Sequence, residues 1–316
     1  MRMSAVVPTR GNSAALERCI QSLKIQTKKI DEIIVVSPNN DSARGTAKKH
    51  DCKWVEDKKN TIGNAYCAGA KAAKGNLVFF IDDDCTAPRN WTSSLAADVE
   101  SENLDVVGGD DVIDEKKSTK FQNAVFMIDK ARTEKTALYG KQACRRLRAC
   151  NIVFRKNIFS KHNFNENLKG LQEPEFLHRL QKNGYKIKFN PKTNVNHTRR
   201  NSIGGVFGQI YRNGKARVDL LKLHKDMLSF MDIAPLLLVA YTIILAYLSL
   251  GEKLFAVLWI CTIAAYFIAK TTDVVWKTKK PGYFLRILCI IAVRETAYVL
   301  GFIAGLPSFL ARRSIS

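Results

Sequence analysis

Along the first eighty residues, short apolar runs alternate with stretches whose apolar positions recur every three or four residues. Met3 to Val7 is an apolar run ended by Pro8, and Ala14 to Gln26 carries Leu16, Ile20 and Leu23 at helical spacing. Glu32 to Val36 reads as a second buried strand, Ala43 to His50 as a helix and Lys53 to Val55 as a short strand. Gly63 to Ala73 is a helix rich in small residues, and Leu77 to Ile81 is a fourth strand that runs straight into three aspartates. Short apolar runs between turn signals are buried strands, and the longer 3.6-period segments are helices. Their alternation predicts an α/β fold with a mainly parallel, Rossmann-like sheet, whose ligands gather at the carboxyl ends of the strands. Chemistry is therefore expected at Pro8 to Asn12, Ser37 to Asp41 and Asp82 to Asp84.

The last third changes character. Ile233 to Leu250 and Leu254 to Ala269 are uncharged apolar runs, and Tyr283 to Leu306 is a third, broken by Arg286, Arg294 and Glu295. A bilayer span needs ~20 apolar residues. The first run qualifies, the second is short, and the tight Gly251-Glu252-Lys253 link joins them as a hairpin. In the third, Arg286, Arg294 and Tyr298 share a stripe continued by Gly301 and Gly305. That stripe either packs against the hairpin or another copy of the chain, giving a homo-oligomer, or brings Arg294 to a lipid phosphate. Two or three transmembrane helices are expected over 232–316. Ahead of them, Ile203 to Leu223 interleaves Phe207, Ile210, Tyr211 and Val218 with Arg212, Lys215, Arg217 and Lys222, the pattern of a basic amphipathic helix lying on an anionic surface. The lysines between Lys270 and Gly282 make that connection cytoplasmic by the positive-inside rule.

Charge extends this picture. The chain of 316 residues has 50 Lys+Arg against 29 Asp+Glu, a net charge of +21. Only nine of the bases and four of the acids lie from Asp232 onward, so the polar part is itself basic and favours anionic partners. The eight cysteines are scattered with no C-x-x-C pair, which reads as buried free thiols in a reducing compartment, neither a zinc site nor a disulfide framework. Met1 to Pro8 is too short and strand-like for an export signal. The expectation is a multi-pass protein of the cell membrane whose polar part faces the cytoplasm.

Three adjacent carboxylates at the end of an apolar strand repel one another unless a cation takes up their charge. Asp82-Asp83-Asp84, within a basic domain, therefore points to Mg²⁺ or Mn²⁺ held together with a diphosphate.

With that cluster the chain resembles the inverting family-2 glycosyltransferases of the GT-A fold, from Met3 to about Arg217. Val6-Val7-Pro8-Thr9-Arg10 looks like the opening V-P-T-x-N/R strand, and Gly63-Asn64 with Gly75-Asn76-Leu77 like the R-N-x-G...A-x-G-x segment. Asp82-Asp83-Asp84 with Trp91 is similar to the D-x-D motif and its downstream tryptophan. Cys150-Asn151-Ile152-Val153-Phe154-Arg155 resembles the acceptor-side G-x-N-x-x-x-R strand, and Gln172-Glu173-Pro174-Glu175 with Arg179-Leu180 the E-D-x-E-L...R-L segment. The resemblance implies a GT-A catalytic domain over 1–198, a juxtamembrane segment over 199–231 and the anchor thereafter. It also implies a nucleotide-sugar donor, a lipid-linked acceptor and a Mg²⁺ or Mn²⁺ cofactor, with no nucleic acid.

Roles follow from the same resemblance. Pro8, Thr9 and Arg10 would line the base and ribose, with Asn64 and Asp83 on the donor side. Asp82 would face the ribose or diphosphate, and Asp84 would bind the metal, with His197 near it. Asn151 would lie toward the acceptor, and Arg199 and Arg200 would meet phosphate. Glu173 takes the place of the catalytic aspartate as general base; Glu175 close by is the alternative, and either acid could instead serve the helix dipole. Two departures stand out. Val35-Val36-Ser37-Pro38-Asn39-Asn40 stands where the family has V-V-D-D-G-S, leaving Asn39 or Asp41 to substitute for the base-contacting acid. Glutamate replaces aspartate at the base position, tolerable if the acceptor is already an anionic polyprenyl phosphate. A nucleotidyltransferase would need a glycine-rich loop where only Gly11 stands, and a nucleic-acid-binding membrane protein would leave the three aspartates without purpose.

Overall fold

A computed structural model describes residues 1–11, 13–39, 41–131 and 137–310, apart from the side chains of 41, 231 and 308–310. The chain divides into two compact units: 1–114 with 134–198, and 115–133 with 199–316. The segment 115–133, which the sequence reading left inside the catalytic stretch, thus belongs with the C-terminal helices.

The first unit begins β1 (Met3–Pro8), α1 (Ser13–Lys24), β2 (Glu32–Ser37), α2 (Asp41–Lys49), β3 (Lys53–Glu56), α3 (Ile62–Ala72) and β4 (Leu77–Phe80). It continues β5 (Cys85–Thr86), α4 (Trp91–Ser101) and β6 (Val106–Val112). After α5 (Lys120–Lys130) of the second unit come β7 (Leu138–Tyr139), α6 (Gly140–Arg146), β8 (Ile152–Arg155), α7 (Gln172–Lys182) and β9 (Ile187–His197). Among the described residues the strands form one sheet in the order β3-β2-β1-β4-β8-β6-β9-β5, with β7 also on β9. The block β3-β2-β1-β4 is parallel, β8 runs antiparallel between β4 and β6, and β6 and β9 are parallel.

Two apolar layers explain the order. Val7, Val35 and Phe79 pack on one face against Leu16, Ile20, Leu23 and Trp91, and Val6, Val36 and Phe80 on the other against Tyr66, Ala70 and Phe154. Strands buried on both faces read as continuous apolar runs, the pattern of Met3–Val7 and Leu77–Ile81.

The second unit adds α8 (Ile203–Leu223), α9 (Phe230–Leu248), α10 (Lys253–Thr278) and α11 (Phe284–Leu310). Among the described residues, two helices are long and apolar enough to cross a membrane, Lys253–Thr278 and Pro281–Pro307, while Asp232–Leu248 is shorter. This reverses the expected ranking of the three runs. The tract from Lys270 onward is not a connection either: α10 continues through Thr278, and the link to α11 is only Lys279 to Tyr283.

Glycines decide how α8 and α11 meet. A Cβ on Gly301 would lie 2.1 Å from the Tyr211 carbonyl oxygen, and one on Gly214 would lie 2.4 Å from that of Tyr298. Gly301 and Gly305 form a small-xxx-small face that admits another backbone. The glycine part of the stripe is filled by α8 of the same chain, while the Tyr298 hydroxyl donates to Asp232 Oδ1 of α9 at 3.2 Å. Val206, Ala216, Val218, Leu220 and Leu221 of α8 are buried in consequence. Phe207, Ile210 and Tyr211 stay half-buried and Ile203 exposed, so protein covers only part of its apolar side. Arg294 pairs with Asp129 of α5, at 2.8 Å, instead of being left for a lipid phosphate.

Candidate active site

The acid cluster is made by the way β4 ends. Ile81 N–H donates to the Val6 carbonyl at 3.2 Å, prolonging the parallel ladder, and the chain then turns, with Cys85 N–H reaching back to the Asp82 carbonyl at 3.1 Å. β5 pairs antiparallel with β9, setting Cys85 opposite His197, and Thr198 N–H donates to the Asp84 carbonyl at 3.1 Å. Folding this turn against the end of β9 brings ligand atoms of Asp82, Asp84 and His197 within 4.8 Å of one another.

His197 is held from both sides. Nδ1 lies 2.9 Å from Asp111 Oδ2 and Nε2 3.3 Å from Asp84 Oδ1. Burial alone would lower its pKa, but the bonds to Asp111 and Asp84 and contact with Cys150 carry it well above its ordinary value. Asp82 is pushed well above the carboxylate range by burial, then by Cys150 and by the neighbouring Asp84 and Glu173 carboxylates, with His197 opposing. Two carboxylates and an imidazole so arranged are a hard O, O, N donor set that fits a divalent cation such as Mg²⁺ or Mn²⁺. The Asp111 contact is the outer carboxylate that typically orients a ligating histidine.

Beside the cluster, Thr9 is buried at the end of β1; its Oγ1 donates to Asp83 Oδ2 at 2.5 Å and accepts from Gly11 N–H at 3.1 Å. Arg10 Nη1 donates to Asp57 Oδ2 at 2.9 Å and Asn60 Oδ1 at 2.7 Å. Asp57, buried past the end of β3, was missed from sequence; a carboxylate just beyond a short strand was its only signal. Pro8 is buried, Asn39 is exposed, and the Asp41 side chain lies outside the described residues. Asn64 caps locally, its Oδ1 accepting from Lys59 N–H at 3.3 Å.

The two glutamates separate clearly. Glu173, half-buried in the first turn of α7, accepts a hydrogen bond from the Tyr66 hydroxyl at 3.2 Å. Tyr66, also missed from sequence, is kept protonated by its burial, with the Glu173 charge adding to the effect. Glu175 is 2% exposed and gripped by Arg179 through two bonds of 2.6 and 2.9 Å. That pair ties one turn of α7 together and engages both Glu175 carboxylate oxygens.

Asn151 is a correction. It is fully buried, its Oδ1 accepting from Trp91 Nε1 at 2.8 Å and its amide donating to the carbonyls of Asp110 at 2.7 Å and Thr193 at 3.1 Å. With every polar atom bonded inside the protein it is a strut joining α4, β6 and β9, not an acceptor contact. Arg199, Arg200 and Arg294 belong to the second unit, where Arg199 lies 3.7 Å from Asp129 and Arg200 is exposed. The cysteines are not all buried as expected: Cys261 and Cys289 are exposed, and the buried Cys85 and Cys150 converge beside His197.

Residues 4–162, half of the chain, match Glycosyl transferase family 2. The chain belongs to that family. No curated protein matches it. Solved structures share its fold at low identity. The mannosyltransferase PcManGT from Pyrobaculum calidifontis, in complex with GDP-Man and Mn²⁺, is 15% identical with a TM-score of 0.60, over 96% of this chain and 87% of that one. S. aureus TarS 1-349 with UDP is 15% identical with a TM-score of 0.51, over 98% and 92%. Glucosyl-3-phosphoglycerate synthase from Mycobacterium tuberculosis is 16% identical with a TM-score of 0.50, over 70% and 78%. This family-2 chain is thus a glycosyltransferase of GT-A type with candidate membrane helices at its C-terminal end.

Proposed function

We propose that this glycosyltransferase moves a sugar from a nucleoside-diphosphate sugar to a polyprenyl phosphate or lipid-linked saccharide, with inversion, at the cytoplasmic face of the cell membrane. The observation that carries the reading is the convergence of Asp82, Asp84 and His197 at the strand ends, with Glu173 near enough to raise the Asp82 pKa. Asp84, Asp82 and His197 would hold Mg²⁺ or Mn²⁺, which supplies charge stabilisation to the departing nucleoside diphosphate. Pro8, Thr9, Arg10 and Asp83 line the donor side, Arg10 being held by Asp57 and Asn60. Glu173, positioned by Tyr66, takes the proton of an acceptor hydroxyl. The new bond from acceptor oxygen to anomeric carbon forms on the face opposite the breaking bond to diphosphate. A phosphate acceptor arrives without a proton to remove.

Three features support the membrane and lipid part. Leu254, Val257 and Ile260 of α10 are 64%, 57% and 65% exposed, a surface suited to hydrocarbon rather than water. Lys277, Lys279 and Lys280 at the α10–α11 link favour a cytoplasmic side. The basic charge of the chain suits anionic lipid and diphosphate alike.

The test is a panel of UDP, GDP and other nucleotides for Mn²⁺-dependent thermal stabilisation, followed by transfer of labelled sugar to polyprenyl phosphate. One nucleotide should stabilise the protein and its sugar should enter the lipid phase. Stabilisation by none of them, or transfer only to water-soluble acceptors, would refute the reading.

A further inference from the structure

Cys85 and Cys150 lie 65 positions apart, yet their sulfurs share a corner of the molecule with His197. The sheet accounts for this. Cys85 in β5 is the direct antiparallel partner of His197 in β9, and opposed residues project from the same face with Cβ atoms ~5 Å apart. Cys150, in the turn that leads into β8, joins them from the side, and the ligand atoms of all three lie within 4.8 Å of one another.

We propose that Cys85, Cys150 and His197, with Asp84 as fourth ligand, form a tetrahedral site for a soft divalent ion of the zinc class, and that this site and the hard-cation cluster exclude each other. Zinc bonds of ~2.3 Å to sulfur and ~2.0 Å to nitrogen or oxygen require separations at the corners of a tetrahedron of ~3.8 Å between sulfurs, ~3.5 Å between a sulfur and a nitrogen or oxygen, and ~3.3 Å between a nitrogen and an oxygen. His197 Nε2 is already 3.3 Å from Asp84 Oδ1, and Cys85 Sγ is 3.9 Å from the same oxygen. The separations among Cys85, Cys150 and His197 lie within 4.8 Å, so the ion would need the thiol side chains to shift by less than ~1.5 Å to close the tetrahedron. Asp111 on Nδ1 leaves Nε2 as the ligating nitrogen. Thiolates prefer zinc-like ions to Mg²⁺ or Mn²⁺, whereas Asp82 with Asp84 prefers the latter. The two sets share Asp84 and His197, so one ion displaces the other. Cys85 and Cys150 are buried and shielded from competing water, while the side chains of Asp84 and His197, 25% and 20% exposed, give an entry path. The exclusion of a catalytic cation rests on the proposed function; the soft-metal site does not.

Full-length, metal-free protein in detergent is titrated with Co²⁺ as a tetrahedral probe and then with Zn²⁺. One Co²⁺ per chain should give a thiolate-to-metal charge-transfer band, replaced stoichiometrically by Zn²⁺, and X-ray absorption of the zinc form should find two sulfurs at ~2.3 Å. Cys85→Ala with Cys150→Ala should abolish the band and weaken Zn²⁺ binding at least ~10-fold, whereas Cys261→Ser with Cys289→Ser should change neither. Absence of the band, a zinc shell of nitrogen and oxygen only, or a Cys85–Cys150 disulfide in freshly purified protein would overturn the site. The X-ray measurement needs no variant and decides the matter even where the alanine protein fails to fold. Mn²⁺ binding read by electron paramagnetic resonance should vanish with one equivalent of Zn²⁺ in the wild type but persist in the alanine protein. Simultaneous binding of both ions would overturn the exclusion. Zinc bound through sulfur in a protein that never binds Mn²⁺ would leave the soft site standing and instead refute the proposed cation cluster.

Discussion

Replacing Glu173 and Glu175 separately by glutamine tests the division of labour within Gln172-Glu173-Pro174-Glu175. For Glu173→Gln the fold should survive, because its side-chain bond from Tyr66 at 3.2 Å can be made to an amide oxygen equally well. What disappears is proton acceptance. A positioned base contributes ~100-fold to ~10,000-fold, or about 3 to 5 kcal/mol of barrier at ~1.4 kcal/mol per decade. Transfer to a hydroxyl acceptor should fall by at least ~100-fold with the nucleotide affinity unchanged, while transfer to a lipid phosphate should fall by less than ~10-fold. For Glu175→Gln the loss is structural. It removes the charge from a two-bond pair with Arg179, whose own side chain is 28% exposed, so the cost is nearer about 2 kcal/mol than the larger values of fully buried pairs. In a unit the size of 1–114 with 134–198, that lowers the melting temperature by roughly 4 to 8 °C with activity largely kept below it. The assay pairs single-turnover transfer of labelled sugar with a thermal melt for each variant. A folded, inactive Glu175→Gln beside a near-normal Glu173→Gln would refute the assignment and show that the Arg179 pair does not withhold Glu175.

The apo protein should gain stability from Asp82→Asn. Asp82 titrates well above its unfolded value of 3.8, so the native state binds the extra proton and stability falls as pH rises from that value through the folded pKa. Melting without metal should therefore be higher for Asp82→Asn at neutral pH, and Mn²⁺ stabilisation, large and growing with pH in the wild type, should be lost. An unchanged apo melt would contradict this. Gly301→Val places a Cβ where 2.1 Å separates it from the Tyr211 carbonyl oxygen, so α8 and α11 must part. Such overpacking costs about 1 to 3 kcal/mol or more, read as a lower melt of the detergent-solubilised protein, whereas Gly282→Val, with open space around it, should be neutral. Asn151→Leu strands Trp91 Nε1 and two carbonyls, at about 1 to 3 kcal/mol for each orphaned group; it should yield little soluble protein, and a well-folded variant impaired only toward acceptor would restore Asn151 to the acceptor side.

The legible part of the fold was the part written in local periodicity. β1 to β4 with α1 to α3 follow from apolar runs and helical spacing, and the carboxyl ends of those strands, with Asp82 to Asp84, follow from the parallel topology they imply. What was hidden depends on long-range register. That Cys85 faces His197 requires β9 to return antiparallel on β5, a pairing across more than a hundred residues that no spacing announces. Tyr66 looked like one more core aromatic of α3, and only the placement of α7 turns its hydroxyl toward Glu173. The residues around Lys120–Lys130 carry an ordinary amphipathic pattern, so nothing local told them apart from the sheet's own helices, although they pack with Val206, Val274 and Ile287. In the apolar third, Lys270 closed the second run and Glu295 broke the third, and both argued against long helices. Lys270 and Glu295 pair with each other across α10 and α11, which removes that objection.

The turn after β2 changes what the strand ends offer a donor. Ser37-Pro38-Asn39 carries no acid, and Ser37 faces inward: its Oγ accepts from Trp54 Nε1 at 2.9 Å, and its carbonyl accepts from Asp57 N–H at 2.7 Å. The carboxylate in this neighbourhood comes from the end of β3 instead. Asp57 is buried, however, and its Oδ2 is bonded to Arg10. The group left facing solvent is the guanidinium, 47% exposed and anchored at Asp57 and Asn60. An arginine fixed by two partners loses little further side-chain freedom when it binds, and its planar fork suits oxygen-rich groups better than a mobile lysine would. Moving the acid one strand outward and beneath an arginine thus replaces a hydrogen-bond acceptor with a held cation. A donor contact made by Arg10 would therefore be expected to recognise carbonyl or phosphate oxygens rather than ring N–H groups.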